Sequence, residues 1–137
     1  MTPYVHKVQY YETDKMGITH HSNYVRWMEE ARIAFLNEIG MQYEKMEAQG
    51  IVSPVTAIEC KFRATTTFPD EITVRARVAE FKGIVLKFRY EMTNQRGERV
   101  FEGRSEHCFL RSDGRIMRLD KEQPEIYELL KSLAEAE

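Results

Sequence analysis

Asn23-Tyr24-Val25-Arg26-Trp27-Met28-Glu29-Glu30-Ala31-Arg32-Ile33-Ala34-Phe35-Leu36-Asn37-Glu38-Ile39 is the stretch that decides the architecture. Tyr24, Trp27, Met28, Ala31, Ala34, Phe35 and Ile39 recur at helical spacing as one apolar stripe, and Ile33 and Leu36 widen it. A stripe this wide predicts a helix gripped by surrounding structure rather than one resting on a surface. Ser22 or Asn23 can cap its start, and Gly40 suits the left-handed position just past its end.

Before this helix, residues 5–13 are rich in Val and Tyr and read as a strand, and residues 14–22 read as a loop broken by Asp14, Gly17 and Ser22. After it, residues 41–49 make a short helix that Gly50 ends, and residues 51–63 form a candidate strand. Three segments then alternate with period two. Ile72, Val74, Ala76 and Val78 alternate with Thr73, Arg75 and Arg77. Ile84, Leu86, Phe88, Tyr90 and Met92 alternate with Lys87, Arg89 and Glu91. Phe101, Gly103, Ser105, His107 and Phe109 alternate with Glu102, Arg104 and Glu106. One apolar and one polar face per strand implies antiparallel pairing. Lys82-Gly83 and Asn94-Gln95-Arg96-Gly97 supply the two hairpin turns between strands 71–81, 84–93 and 98–111. Gly103 and Ser105 are small on the inward face, which leaves room for a helix to approach. Residues 122–135 read as a C-terminal helix. The sum is α+β: one long central helix wrapped by a curved antiparallel sheet of about five strands, the shape called a hot dog. No internal repeat or linker divides it, so residues 1–137 are read as a single domain.

Composition narrows the function. Hydrophobic residues make up 42% and charged residues 31%, a balance that folds without staples. The net charge of −2 supplies no global field for nucleic acid. Cys60 and Cys108 have neither disulfide-framework nor metal-ligand spacing and read as reduced thiols. No secretory h-region and no run near the roughly 20 apolar residues of a membrane span is visible. These features point to the cytoplasm, without nucleic-acid partner or membrane insertion.

The chemistry is concentrated in Tyr10-Tyr11-Glu12-Thr13-Asp14-Lys15-Met16-Gly17-Ile18-Thr19-His20-His21-Ser22-Asn23-Tyr24. A carboxylate follows a strand, a Gly-containing loop follows it, and a helix begins. A helix N-terminus presents unpaired N–H groups that can stabilise an oxyanion. Asp14 beside such donors makes a plausible acyl-transfer pair. The same features fit an Asp that only caps a turn, and the residues alone leave both readings open. His20-His21 lacks the further ligands of a metal site. His107 reads as a satisfied core histidine. Glu29 with Arg32 and Arg26 with Glu30 read as helical ion pairs.

Glu12-Thr13-Asp14-x-x-Gly17-x-x-x-His21-x-x-Tyr24, followed by Trp27-x-Glu29-x-Ala31-Arg32, resembles the acyl-CoA thioesterase family typified by bacterial four-hydroxybenzoyl-CoA thioesterase, and looks closest to its Tol-Pal-associated branch. The resemblance implies that Asp14 is the catalytic carboxylate, that Gly17 lets the loop turn tightly, and that the His21 N–H polarises the thioester carbonyl. Tyr10 and the His21 ring match positions that assist or shape the site, and Tyr24 matches an aromatic near the pocket. Lys15 and His20 depart from the family pattern beside the acyl pocket.

The implied reaction is hydrolysis of an acyl-CoA to free acid and coenzyme A, with Asp14 as nucleophile or as general base toward water. It needs no cofactor, because coenzyme A belongs to the substrate. Trp27 and His20 are read as further substrate contacts, and Lys61 and Arg63 as contacts for the coenzyme A phosphates. The expected lining suits a short-to-medium aliphatic or aromatic acyl group better than a long chain. The family implies a homodimer or homotetramer with sites at the subunit boundary. The alternatives are a hot-dog hydratase or dehydratase, and an acyl-CoA-binding protein without turnover.

Overall fold

The structure, a computed structural model, describes residues 1–135; the last two residues of the predicted domain lie outside the described residues. Five strands, β1 (Tyr4–Lys7), β2 (Val55–Phe62), β3 (Glu71–Phe81), β4 (Leu86–Thr93) and β5 (Arg99–His107), form one sheet in the order β1-β3-β4-β5-β2. Every neighbouring pair is antiparallel. The long helix α1 (Ser22–Glu38) lies against β3 and β1. Short α2 (Tyr43–Ala48) and α3 (Leu119–Glu122) and the C-terminal α4 (Pro124–Glu135) complete the fold, with Tyr127 of α4 against Phe81 of β3. The arrangement is the predicted α+β hot dog.

Register follows from the alternation. Val74 faces Met92, Tyr90 faces Gly103 and Phe88 faces Ser105 across the ladders, and all six are buried beneath α1. The outward positions carry the charges, with Arg77, Arg89 and Arg104 in one cross-strand row. Gly103 is small for the reason read from sequence: a Cβ there would lie 2.6 Å from Phe101 Cε1 and 3.2 Å from Met28 Cε on α1.

Four expectations are corrected. The first strand ends at Lys7, not near 13, because the chain then enters a 3₁₀ turn at Tyr10–Glu12. The Glu12 side chain folds back onto the Gln9 N–H at 2.7 Å and draws the turn into the core. The stripe on α1 is narrower than the sequence suggested. Tyr24, Trp27, Met28, Ala31, Phe35 and Leu36 are buried, but Ile33, Ala34 and Ile39 are only half-buried, and Val25, Arg26, Glu29 and Glu30 outside the stripe are exposed, so this chain covers only one side of the helix. Neither Ser22 nor Asn23 caps α1; His21 holds that position, and Asn23 Nδ2 instead reaches the carbonyls of Glu12 at 3.0 Å and His20 at 3.2 Å. The helical ion pairs do not form among the described residues. Glu30 takes the Tyr4 hydroxyl and lies near His6, and Arg32 donates to the Tyr90 hydroxyl at 3.1 Å.

The helix end matches expectation. Met41 N–H bonds the Leu36 carbonyl at 2.8 Å and Gly40 N–H bonds the Asn37 carbonyl at 3.1 Å, with Gly40 at φ +85°. This is the 6→1 and 5→2 closure that a glycine permits. Edge strand β2 differs from the others. Ile58 and Phe62 point to the helix side of the sheet, opposite Ser105 and Phe101, yet remain 49% and 51% exposed.

Candidate active site

The loop between the 3₁₀ turn and α1 is a small closed structure. Thr13 and Thr19 pair as an isolated bridge, Asp14 N–H bonds the Ile18 carbonyl, and Gly17 N–H bonds the Asp14 carbonyl, both at 2.9 Å. Gly17 sits at φ +78°, where a side chain would be strained. The Met16 N–H donates to Asp14 Oδ1 at 2.9 Å. Among the described residues, Oδ2 accepts no hydrogen bond.

The strand connection after β2 forms the outer wall. Thr19 N–H bonds the Thr66 carbonyl at 2.8 Å, Thr66 Oγ1 donates to Thr19 Oγ1 at 2.7 Å, and Thr67 Oγ1 donates to the Gly17 carbonyl at 2.6 Å. Thr66 Oγ1 also shares a 2.8 Å hydrogen bond with the Tyr24 hydroxyl. Burial pushes the Tyr24 phenol up, so it acts here as a neutral hydroxyl.

At the helix start, the His20 N–H bonds the Glu12 carbonyl at 2.8 Å and the Asn23 N–H bonds the His20 carbonyl at 3.0 Å. Among the described residues the His21 N–H meets no acceptor. Asp14, His21 and Tyr24 line one open recess of about 300 Å³, together with Met16, Ile18, Phe62 and Arg63. The His21 and Phe62 rings meet edge-on, 6.4 Å between centroids. A half-buried carboxylate, an unengaged helix-start N–H and an apolar wall around one recess can together position a carbonyl and attack it.

The other predicted residues, Arg63 apart, lie away from the recess in this chain. Tyr10 is 77% exposed and packs edge-on against Phe68. His20 is exposed, lies against the His21 ring and hydrogen-bonds Ser22 Oγ at 2.8 Å. Trp27 is fully buried behind Tyr24 and donates its indole N–H to Glu12 Oε2 at 2.9 Å, so it supports the recess without lining it. Lys61 projects from the outward sheet face, 3.9 Å from Glu59, whereas Arg63 lines the recess and bonds Glu102 at 2.9 Å. His107 is the satisfied core histidine expected, 2.7 Å from Ser105 Oγ. Burial first, and then the nearby Arg32 charge, pull its pKa down to about 4.

Reading the sequence missed His6, the threonines of the outer wall and the buried role of Glu12. The run Ala64-Thr65-Thr66-Thr67 was a usable signal, since hydroxyls between two strands need partners. Glu12 opens the motif, but nothing near it in the sequence signals its burial, which is decided by Trp27 and His6 from other elements.

Relatives place this chain among thioesterases. The thioesterase-like superfamily profile matches residues 8–134. A Bacillus subtilis protein named "Putative acyl-CoA thioesterase YneP" is 33% identical over 101 residues, covering 74% of this chain and 73% of that one. The structure superposes on the DHNA-CoA thioesterase of Staphylococcus aureus with a TM-score of 0.88 and 32% identity, covering 93% of this chain and 86% of that one. A hypothetical protein of Thermus thermophilus matches with a TM-score of 0.86 and 34% identity, covering 95% and 99%. Fold and relatives together define a hot-dog thioester hydrolase. The chain belongs to the thioesterase-like superfamily.

Proposed function

We propose that this chain hydrolyses acyl-CoA thioesters to a free acid and coenzyme A, with Asp14 carrying the attack. The observation behind this reading is that Asp14 and His21, whose N–H meets no acceptor among the described residues, line one recess. A thioester carbonyl whose oxygen accepts the His21 N–H exposes its carbon to the carboxylate side. In the nucleophilic route an Asp14 oxygen bonds that carbon, the C–S bond breaks, the thiolate takes a proton, and water then cleaves the mixed anhydride. In the general-base route Asp14 takes a proton from water, whose oxygen bonds the carbon directly. Water is the second substrate in both, and no cofactor enters.

Coenzyme A as the carrier is favoured by the B. subtilis and S. aureus relatives, whose names specify CoA thioesters. Arg63, at the recess, is better placed than Lys61 for its phosphates. A recess of about 300 Å³ lies at the small end for ligand sites and favours aromatic or short-to-medium acyl groups over palmitoyl. We read the active species as a homodimer or larger, joined along β2, an open edge with Ile58 and Phe62 half exposed. Light scattering should report at least twice the chain mass, and an active monomer would end that reading.

The deciding experiment follows free thiol across a panel of acyl-CoAs with wild type and Asp14→Asn. Thiol release that depends on Asp14 supports hydrolysis. Hydration of an enoyl substrate, or binding without turnover, would replace it with another reading. A single turnover in ¹⁸O-water tests for the anhydride: label entering Asp14 requires it, whereas label confined to the product acid shows only that water attacked the acyl carbon, with or without an anhydride.

A further inference from the structure

We propose that Glu12 is a positioning residue for Asp14, fixing the carboxylate loop to helix α1 through a buried hydrogen-bonded hub. The proposal rests on the assignment of Asp14 above. Glu12 is only 6% exposed, yet it is two residues from the acting carboxylate. Its Oε1 accepts the Gln9 N–H at 2.7 Å and meets His6 Nε2 at 2.8 Å, and its Oε2 accepts the Trp27 indole N–H at 2.9 Å. Its backbone carbonyl accepts the His20 N–H at 2.8 Å and Asn23 Nδ2 at 3.0 Å.

One residue is thereby tied to β1, to the 3₁₀ turn, to the interior of α1 and to both sides of His21. The separation between Asp14 and the His21 N–H is set by this clamp. Asp14 follows Glu12 by two peptide units, and His21 lies between two of the residues that hold the Glu12 carbonyl. A carboxylate is the side chain suited to the place, because it accepts three N–H groups and offers no donor of its own. Burial pushes its carboxyl up, but the bonds from Gln9, His6 and Trp27 outweigh that and hold it below the usual range, so it stays an ionised acceptor. In Glu12→Gln the amide NH₂ must face one of those donors. Trp27→Phe removes one donor and keeps an aromatic ring in the core.

The test measures kcat and KM for acyl-CoA hydrolysis in both variants, well below each thermal midpoint, and again in an Asp14→Asn background. Glu12→Gln and Trp27→Phe should each lower kcat about tenfold with KM within about twofold, since small misplacements of a reacting group act on the chemical step. Added to Asp14→Asn, neither should lower the residual rate further. A purely structural Glu12 would lower the midpoint while kcat per folded enzyme stayed at wild type. Losses that multiplied with those of Asp14→Asn would likewise overturn the proposal. Full activity in Asp14→Asn alone would remove the reading beneath it, an outcome distinct from both.

Discussion

Two hydrogen-bonded chains run through the core beneath the same helix, and they do different work. One joins His6, Glu12 and Trp27. The other joins Arg32, Tyr90, Ser105 and His107, with 3.1 Å, 2.7 Å and 2.7 Å between successive partners. The first is built on an ionised carboxylate and lies two residues from Asp14, beside a recess of about 300 Å³. The second shares neutral hydroxyls and an imidazole, and His107 reaches only a void of about 10 Å³, room for no more than one water. The histidine with the displaced pKa therefore reaches no recess that could hold an acyl group. Perturbed titration marks functional sites only when the group is also reachable. Here burial alone accounts for most of the displacement.

The comparison breaks first on activity. Asp14→Asn should cost about 10²- to 10⁴-fold in kcat with little change in the unfolding midpoint. His107→Gln should leave kcat within about threefold. Thiol-release kinetics on the two purified variants check this, and a His107→Gln loss as large as that of Asp14→Asn would show that the second chain takes part in catalysis.

The next effect is on stability against pH. His107 titrates near 6.5 when unfolded and about 4 when folded, so the unfolded chain binds the proton more readily. Stability is full above pH 6.5 and falls as pH drops toward 4, by about 3 kcal/mol in all. Glu12 acts in the same direction lower down: its depressed carboxyl contributes above its unfolded value of 4.5, and the contribution is lost as pH falls below that. Urea midpoints measured from pH 8 to 4 should show the fall, and His107→Gln should flatten its upper part. An unchanged curve in that variant would place the titration elsewhere.

Packing over the second chain sharpens the contrast further. Gly103→Ala puts a methyl 2.6 Å from Phe101 Cε1, against Met28 of α1, and should destabilise by about 1–3 kcal/mol in equilibrium unfolding. A neutral result would mean that α1 shifts easily over β5. The smallest effect expected is that of Tyr90→Phe, about 1 kcal/mol, because it unlinks Arg32 from Ser105 without opening a cavity. It should not alter kcat, whereas Trp27→Phe, an equally modest change in the first chain, should.

Much of the fold was legible in the residues themselves. Strand 71–81 lies where the alternation places it, as do the hairpin turns, the glycine at the end of α1, and the small residue at 103 beneath the helix. Each is a local rule: period two, period 3.6, a positive φ, a missing Cβ. That Asp14, His21 and Tyr24 lie near one another was also legible, because they belong to one loop and the helix that follows it. Distance along the chain bounded how far apart they could be.

The residues alone specify the set of elements and the short segment in which a carboxylate meets a helix start, since both depend on contacts a few residues long. Which side chains back that segment was decided by the tertiary structure. Trp27 turned from the recess to hold Glu12, Arg63 lines the recess while Lys61 does not, and Thr66 and Thr67 came from 47 and 50 residues away to close the loop. The physical reason is that a buried polar group must find its partner wherever packing brings one. In this chain the partners of Glu12, Thr19 and Gly17 come from a strand, a helix and a connection that meet only once the sheet has closed around α1.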